Sequence, residues 1–335
     1  MPAMYRHARH EQRRQDEMQL RSRLGGVVLS LCALLCAAPA RAWPDKPIEL
    51  VVGFAAGGGT DLTARALASF LGKALGASVV VVNKPGAAGG IGLAYVARAR
   101  PDGYTLGMTN MPGLVTLPIE RNAGFGAGDF TYLATLVRDP SAFSVSRDSP
   151  YKTLAELIAA AKKDPGAISY GSTGSGTDDH LAMVMFEGLT GTQLNHVPFN
   201  GAGPMRNALM GGHTVIAGMN LGEALPYDGR TVRILAQASA GRSKLAPAVP
   251  SFREQGVDLV FASERGVVAP RGLPSAVEKQ LGAALRQVAL DPAFQQMMKT
   301  QFTEMDYLPG PEWKQRLDGA EAGFRRMWAA HHWIE

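Results

Sequence analysis

The sequence predicts an α/β protein with a mostly parallel sheet, and three observations carry that prediction. From Trp43 onward, short β-branched runs alternate with alanine- and leucine-rich segments of helical period. Polar, glycine-rich loops follow several of these runs, at the strand ends where open α/β sheets take ligands. The chain has 335 residues, 46% of them hydrophobic, so it is long enough for two domains of ordinary size and is not disordered by composition.

The leader comes first. Residues 18–42 read as a secretory signal: a basic stretch with Arg21 and Arg23, an apolar stretch from Leu24 to Ala38, then Ala40-Arg41-Ala42. Residues 1–42 are therefore expected to be removed, with translation starting at Met18. The apolar stretch is short for an N-terminal membrane anchor. Cys32 and Cys36 both fall inside it, so the mature chain is expected to carry no disulfide and no catalytic thiol. The formal charge of +5 also belongs mostly to this leader, which holds seven arginines against three acids. No basic segment interleaved with aromatics follows it, which excludes a nucleic-acid partner.

Strands are predicted at Ile48–Val52, 79–82 and 104–108, with helices at 62–71 and 91–99 between and after the first two. Asp61 and Arg65 stand four apart on the first helix, placed to pair. A second α/β series begins at Phe143-Ser144-Val145, with a helix over Leu154–Lys163, a strand at 168–170, a helix at 181–188 and a strand at Asn195–Pro198. A further helix runs through Leu209. Strands at 214–217 and 233–236 follow, and the chain then passes through Gly266-Val267-Val268-Ala269-Pro270 into the next helix. Val277, Leu281, Leu285 and Val288 then mark a helix stopped by Asp291-Pro292. The last helix carries Trp313, Leu317, Ala320, Phe324 and Trp328 on one face, a packing stripe.

The stretch Phe54-Ala55-Ala56-Gly57-Gly58-Gly59-Thr60-Asp61 reads as strand, tight turn and helix start. Its glycines permit φ > 0, and Thr60 or Asp61 is placed to cap the helix, so that free N–H groups converge where an anion would sit. That anion is a nucleotide phosphate, an enzyme's substrate or a receptor's carboxylate ligand. No Lys follows Gly59, which removes the nucleotide P-loop, and the dinucleotide fingerprint fails at Leu62. Around Ser172 and Ser175 the Gly-x-Ser-x-Gly elbow of a serine hydrolase is missing. Adjacent His331 and His332 lack ligand spacing, so no metal site is expected. His180 suits a helix-start packing or capping role ahead of a ligand contact, and catalysis last. Glu223 is expected as an exposed acid rather than a cleft residue. One helix end supplies at most about 2 kcal/mol toward an anion, whereas micromolar binding needs about 8 kcal/mol. The site is therefore expected to be two-sided.

Taken together, the motifs resemble the Bug-type substrate-binding proteins of tripartite tricarboxylate transporters. They include Trp43-Pro44-Asp45-Lys46-Pro47, the 54–65 turn and helix, Asn83-Lys84-Pro85-Gly86, Arg100-Pro101-Asp102-Gly103-Tyr104, Lys152-Thr153-Leu154, the 170–181 stretch, His196-Val197-Pro198-Phe199 and Ala269-Pro270. The resemblance runs through nearly all of the mature chain. It implies a two-lobed, flytrap-like periplasmic-binding-protein fold, each lobe a sheet flanked by helices, with lobe one at 43–143 plus 266–335 and lobe two at 144–265. It implies a periplasmic, non-enzymatic monomer without cofactor that hands a small carboxylate solute to membrane permease subunits and closes about a hinge on binding. The ligand residues it implies are Phe54, Ala55, Gly58, Gly59, Thr60 and Asp61 on one side. Facing them are Ser172, Thr173, Ser175, Gly176, Thr177 and His180, with Thr109, Asn110, Phe199, Asn200 and Gly201 on the flanks. The chain departs from the family at Ala56 and Asn200, where members often carry Pro and Lys. Segments 109–128 and 217–230 are divergent, and specificity is expected to be set there. The readings competing with a permease-feeding receptor are a secreted hydrolase or transferase and a receptor serving a membrane sensor.

Overall fold

β-Branched runs build one end of the sheet. The computed structural model describes residues 43–330 and 332–333, and its compact body begins at Lys46. The expected leader, both cysteines and His331 lie outside the described residues. In chain order the first elements are β1 (Ile48–Val52), α1 (Gly59–Leu75), β2 (Val79–Asn83), α2 (Gly90–Ala97), β3 (Thr105–Met111), α3 (Gly113–Glu120) and β4 (Phe130–Ser146). Then come α4 (Leu154–Lys163), β5 (Ser169–Ser172), α5 (Asp178–Thr190), β6 (Asn195–Pro198), α6 (Ala202–Met210), β7 (Ile216–Asn220), α7 (Leu221–Ala224) and β8 (Val232–Gln237). The last are β9 (Ala262–Pro270), α8 (Ser275–Leu290), α9 (Pro292–Thr300), β10 (Glu304–Pro309) and α10 (Gly310–Ala330).

β1 lies between β2 and β3 and parallel to both, with Leu50 opposite Val81 and Leu106. A strand covered on both faces needs apolar residues in succession, and Ile48, Leu50, Val51 and Val52 are all buried. The ladder then continues through β9, β4, β7, β5 and β6, with β8 and β10 also paired to β4. β4 has 17 residues and changes partners along its length. Its first part is antiparallel to β9 and β10, and its last part, from Ser141, is antiparallel to β7 and β8. The pairing of β4 with β9 reaches Pro140 opposite Ala262. Two strands therefore connect two sheet halves.

Each half has its own apolar core. Val51, Val96, Leu114, Leu117, Val268 and Trp313 pack in the first. In the second, the Phe143 ring meets Tyr170, Phe186 and Phe252 edge-on at centroid distances of 5.0, 4.9 and 5.0 Å. Edge-to-face contacts of this kind add to the burial of large rings.

The α/β alternation occurs as predicted, with ends shifted by a few residues. Phe143-Ser144-Val145 proves to be the end of the much longer β4. Asp291-Pro292 does stop α8, but the Asp291 side chain also accepts the Ala293 N–H at 2.7 Å and so caps α9. On α10, Trp313 and Leu317 are buried while Ala320, Phe324 and Trp328 are half-buried, so the predicted stripe packs most tightly at its N-terminal end.

Candidate ligand-binding site

The glycine-rich turn is held in shape by Asp61. Its carboxylate is buried and accepts hydrogen bonds from Gly57 N (2.9 Å), Arg65 Nε (2.9 Å) and Asn83 Nδ2 (2.9 Å). Asn83 Nδ2 also donates to the Phe54 carbonyl at 3.0 Å, tying the end of β2 to the start of the turn. Burial alone would raise the Asp61 carboxyl, but the Arg65, Gly57 and Asn83 hydrogen bonds outweigh it and hold it below its ordinary value. The expected Asp61–Arg65 pair is present. The helix start differs from expectation, because Gly58 is the N-cap in extended conformation and Thr60 and Asp61 lie within the first turn. Asp61 folds back to Gly57, the one glycine of the three with positive φ (+86°).

Gly59 lies where lobes meet. Its N–H donates to Glu223 Oε1 at 2.6 Å, across 164 residues of chain, and Ala55 N donates to the Asn200 carbonyl at 3.2 Å. Gly201, with φ +133°, allows that approach, since a Cβ there would stand 3.3 Å from Ala55 N. The N–H groups of Ala56, Gly58 and Thr60 have no hydrogen-bond partner among the described residues. They are among the unengaged donors of the turn. Thr109 and Asn110 lie on β3 facing β9. Thr109 Oγ1 donates to the Gly266 carbonyl at 3.2 Å, and Asn110 Oδ1 accepts from Ser263 Oγ at 2.6 Å.

The 172–177 loop is mostly committed to its own architecture. Ser172 Oγ bonds the His196 ring at 2.6 Å and accepts from Gly174 N at 3.1 Å. Thr173 donates from both N and Oγ1 to Asp179 Oδ2, and Thr177 Oγ1 donates to the Gly174 carbonyl. His180 Nδ1 accepts the Gly176 N–H at 3.1 Å, and its ring stacks on His196 at 3.9 Å and 11°. Burial is the main reason that both rings stay neutral, with His180 lowered to about 3 and His196 to about 4. A neutral His180 whose Nδ1 accepts a backbone N–H performs the capping role. Ser175 is the loop residue whose N–H and hydroxyl remain unengaged among the described residues. Its carbonyl accepts from Arg121 Nη2 at 3.0 Å, and Thr116 Oγ1 donates to the Gly176 carbonyl at 2.7 Å. The loop thus meets α3 and Ala88, while the 54–61 turn meets Asn200, Gly201 and Glu223. Phe199 links the two regions, its N–H donating to the Ser172 carbonyl at 2.9 Å.

Behind the turn lies a charged cluster on the crossing strands. Arg265 of β9 is fully buried; Nη1 donates to Asp139 Oδ2 at 3.0 Å and Nη2 to Asn220 Oδ1 at 2.9 Å. Asn220 Nδ2 donates to Asp178 at 2.6 Å, and Gly222 N to Asp139 at 2.9 Å. Burial raises Asp139 and Asp178 to about 6 in each case, with the Arg265 charge and the Asn220 amide acting against it. The expectation that Glu223 is exposed is overturned. Its side chain retains 9% of its accessible surface, because α7 turns it onto the α1 helix end and toward Arg265 at 3.9 Å. Asn83 entered the sequence reading only as part of a motif, with no role, and Asp139, Asn220 and Arg265 escaped it. Arg265, standing beside Glu264 just ahead of the apolar run from Gly266 to Pro270, was the one available signal. Among the described residues no group of three or more His, Cys, Asp or Glu is placed to hold a metal.

Two α/β halves joined by paired crossing strands, with facing loops carrying backbone donors, define a two-lobed binding protein. The comparisons agree. The family model described as tripartite tricarboxylate transporter family receptor matches residues 63–311. A Cupriavidus necator protein described as the UPF0065 protein of the gbd 5′ region is 34% identical over 290 residues, covering 86% of this chain and 88% of the relative. Protein BugT of Bordetella pertussis is 31% identical over 278 residues, covering 80% and 85%. Among solved structures, the periplasmic binding protein BugD is 29% identical with a TM-score of 0.81, covering 86% of this chain and 98% of its own. An R. palustris protein solved with adipate is 29% identical with a TM-score of 0.82, covering 86% and 97%. The chain belongs to the tripartite tricarboxylate transporter receptor family, and it is a solute-binding receptor rather than an enzyme.

Proposed function

We propose that the protein captures a small carboxylate solute between its lobes, in the periplasm, and delivers it to the permease subunits of a tripartite tricarboxylate-type transporter. The observation that carries this reading is the set of unengaged N–H groups at Ala56, Gly58 and Thr60, clustered at the positive end of a 17-residue helix. The adipate in the R. palustris relative supports the ligand class. The pocket we propose draws on Phe54 to Asp61 and, across the cleft, on Ser175 and the Phe199–Gly201 stretch. Ser172, Thr173, Gly176, Thr177 and His180 hold the second wall in shape, while Thr109 and Asn110 hold the floor through β9. Lobe one is taken as 43–143 with 266–335 and lobe two as 144–265. The partner change within β4 supports that division. A cleaved leader at residues 1–42 and a monomeric receptor complete the reading; no helix among the described residues is long and apolar enough to cross a membrane.

A thermal-shift screen against mono-, di- and tricarboxylates tests the ligand class. A solute that binds the folded state alone raises the melting temperature by mass action, about 2.7 kcal/mol of stabilisation at a hundredfold excess over Kd. A dose-dependent rise with one or a few carboxylates is expected. No rise with any of them, alongside a rise with a neutral or cationic solute, refutes the ligand class.

A further inference from the structure

We propose that Glu223 is an internal anion of the receptor: its carboxylate occupies the N-terminal end of α1 in the absence of solute, and an incoming carboxylate must displace it. The inference rests on the reading of the 54–61 turn as the solute cradle. Glu223 Oε1 lies 2.6 Å from Gly59 N, at the first residue of α1, in the place a solute oxygen would take. The carboxylate reaches there from the other side of the cleft, on α7 directly after β7, so the bond also ties the lobes together.

The surroundings are built around that carboxylate. A Cβ on Gly59 would stand 2.8 Å from Glu223 Oε1 and 2.5 Å from Arg265 Nη2, so glycine at this position lets the helix end and the guanidinium approach one acceptor. Arg265 is already balanced by Asp139 at 3.0 Å, and its Nε has no partner among the described residues. Glu223, 3.9 Å from that guanidinium, is a further acid of the cluster; its Oε2 accepts the Asn220 N–H of its own helix cap at 3.3 Å, while its Oε1 reaches across to α1 at Gly59.

A place for the displaced side chain is also present. A cavity of about 70 Å³ is lined by Gly57, Gly59 and Glu223 together with Asp139, Arg206 and Tyr227. The Arg206 guanidinium rests 4.4 Å from the Tyr227 ring and has no acidic partner among the described residues. Glu223 turning into this cavity would exchange one positive site for another.

The consequence is competition within the molecule. An internal anion that fills the cradle weakens the apparent affinity for solute by the fraction of time it is bound there. One charge-assisted hydrogen bond corresponds to a factor on the order of tenfold. Emptying the cradle should also loosen the lobes, because Ala55–Asn200 and Thr116–Gly176 would then carry the closure with fewer bonds.

Substitution and chemical rescue test this without knowledge of the physiological solute. Glu223→Ala is followed by small-angle scattering and thermal melting, with sodium acetate as probe against sodium chloride at matched ionic strength. The expected result is a larger radius of gyration than wild type without acetate, restored compactness and a raised melting temperature with it, and no acetate response in wild type. The carboxylate that gives the largest shift in the wild-type screen is expected to bind Glu223→Ala on the order of tenfold tighter. Glu223→Gln, which keeps the shape and loses the charge, should show the same signs at smaller size and serves if the alanine variant does not fold. Unchanged scattering with no acetate response in either variant overturns the proposal. If wild type responds to carboxylates while both variants bind them no more tightly, the internal anion alone is refuted. If acetate rescues Glu223→Ala while no carboxylate shifts wild type, the ligand class fails and the internal anion stands.

Discussion

Asp61 does more for the site by shaping it than it would by touching a solute. Its three hydrogen bonds converge from the turn, from α1 and from β2, so removing this buried carboxylate takes the acceptor from the exposed Gly57 N–H, from Arg65 and from the half-buried Asn83 amide, which keeps only the Phe54 carbonyl. Asp61→Ala is expected to cost about 2–3 kcal/mol, read from the urea midpoint at unchanged slope. A loss of only a few tenths would show that water replaces the carboxylate. Neighbouring glycines make a sharper contrast. At Gly58 an added Cβ would meet Ala202 at an ordinary 3.6 Å, whereas at Gly59 it would strike Arg265 and Glu223. Gly59→Ala should therefore weaken binding of the screen's best carboxylate more than tenfold, and Gly58→Ala should change it little. Equal effects in titration calorimetry would mean that the turn does not approach the second lobe this closely.

At the scale of elements, the stacked pair of His180 on α5 and His196 on β6 gives the second wall a pH signature. Both rings titrate below their ordinary 6.5 in the folded chain, so on acidification the unfolded chain takes up protons first. Their contribution to stability is full above about pH 6.5 and falls as the pH drops toward 4. Asp139 and Asp178 act in the opposite direction, because carboxyls raised to about 6 are protonated in the folded chain before the unfolded one reaches 3.8. His196→Gln removes one histidine and leaves the acids. Its melting temperature relative to wild type is expected to improve between pH 6.5 and pH 4; a constant difference across that range would contradict the burial of the neutral pair.

Most elements were legible because their signals are local. The run at Ile48–Val52, the helix over Leu154–Lys163, and the stripe beginning at Trp313 can each be recognised within a dozen residues. β4 was only half legible, since Asp139-Pro140 breaks its apolar pattern at the crossing between lobes. α3, which contains Pro118, was missed for a similar reason. At the site, the turn's glycines announced an anion cradle, but not that Glu223 fills one of its donors. That bond spans 164 residues and depends on how two lobes meet, which no spacing rule encodes.

For the whole molecule, the crossing strands β4 and β9 carry both the connection between lobes and the Arg265–Asp139 pair. A fully buried ion pair is costly to break from one side, by about 3–5 kcal/mol, so the hinge is expected to act as a fixed pivot while the loops beyond it move. Binding then consists of a small anion bridging the N–H groups of the 54–61 turn, Gly59 included once Glu223 leaves it, and the donors near Ser175 and Asn200. Titration calorimetry on the best carboxylate of the thermal screen, with wild type and Gly59→Ala side by side, tests that account most directly. One solute per wild-type chain is predicted, with affinity lost more than tenfold in a Gly59→Ala protein that still melts cooperatively. Undiminished binding by that variant, or stoichiometric binding of a solute lacking a carboxylate in preference to any that has one, would contradict it.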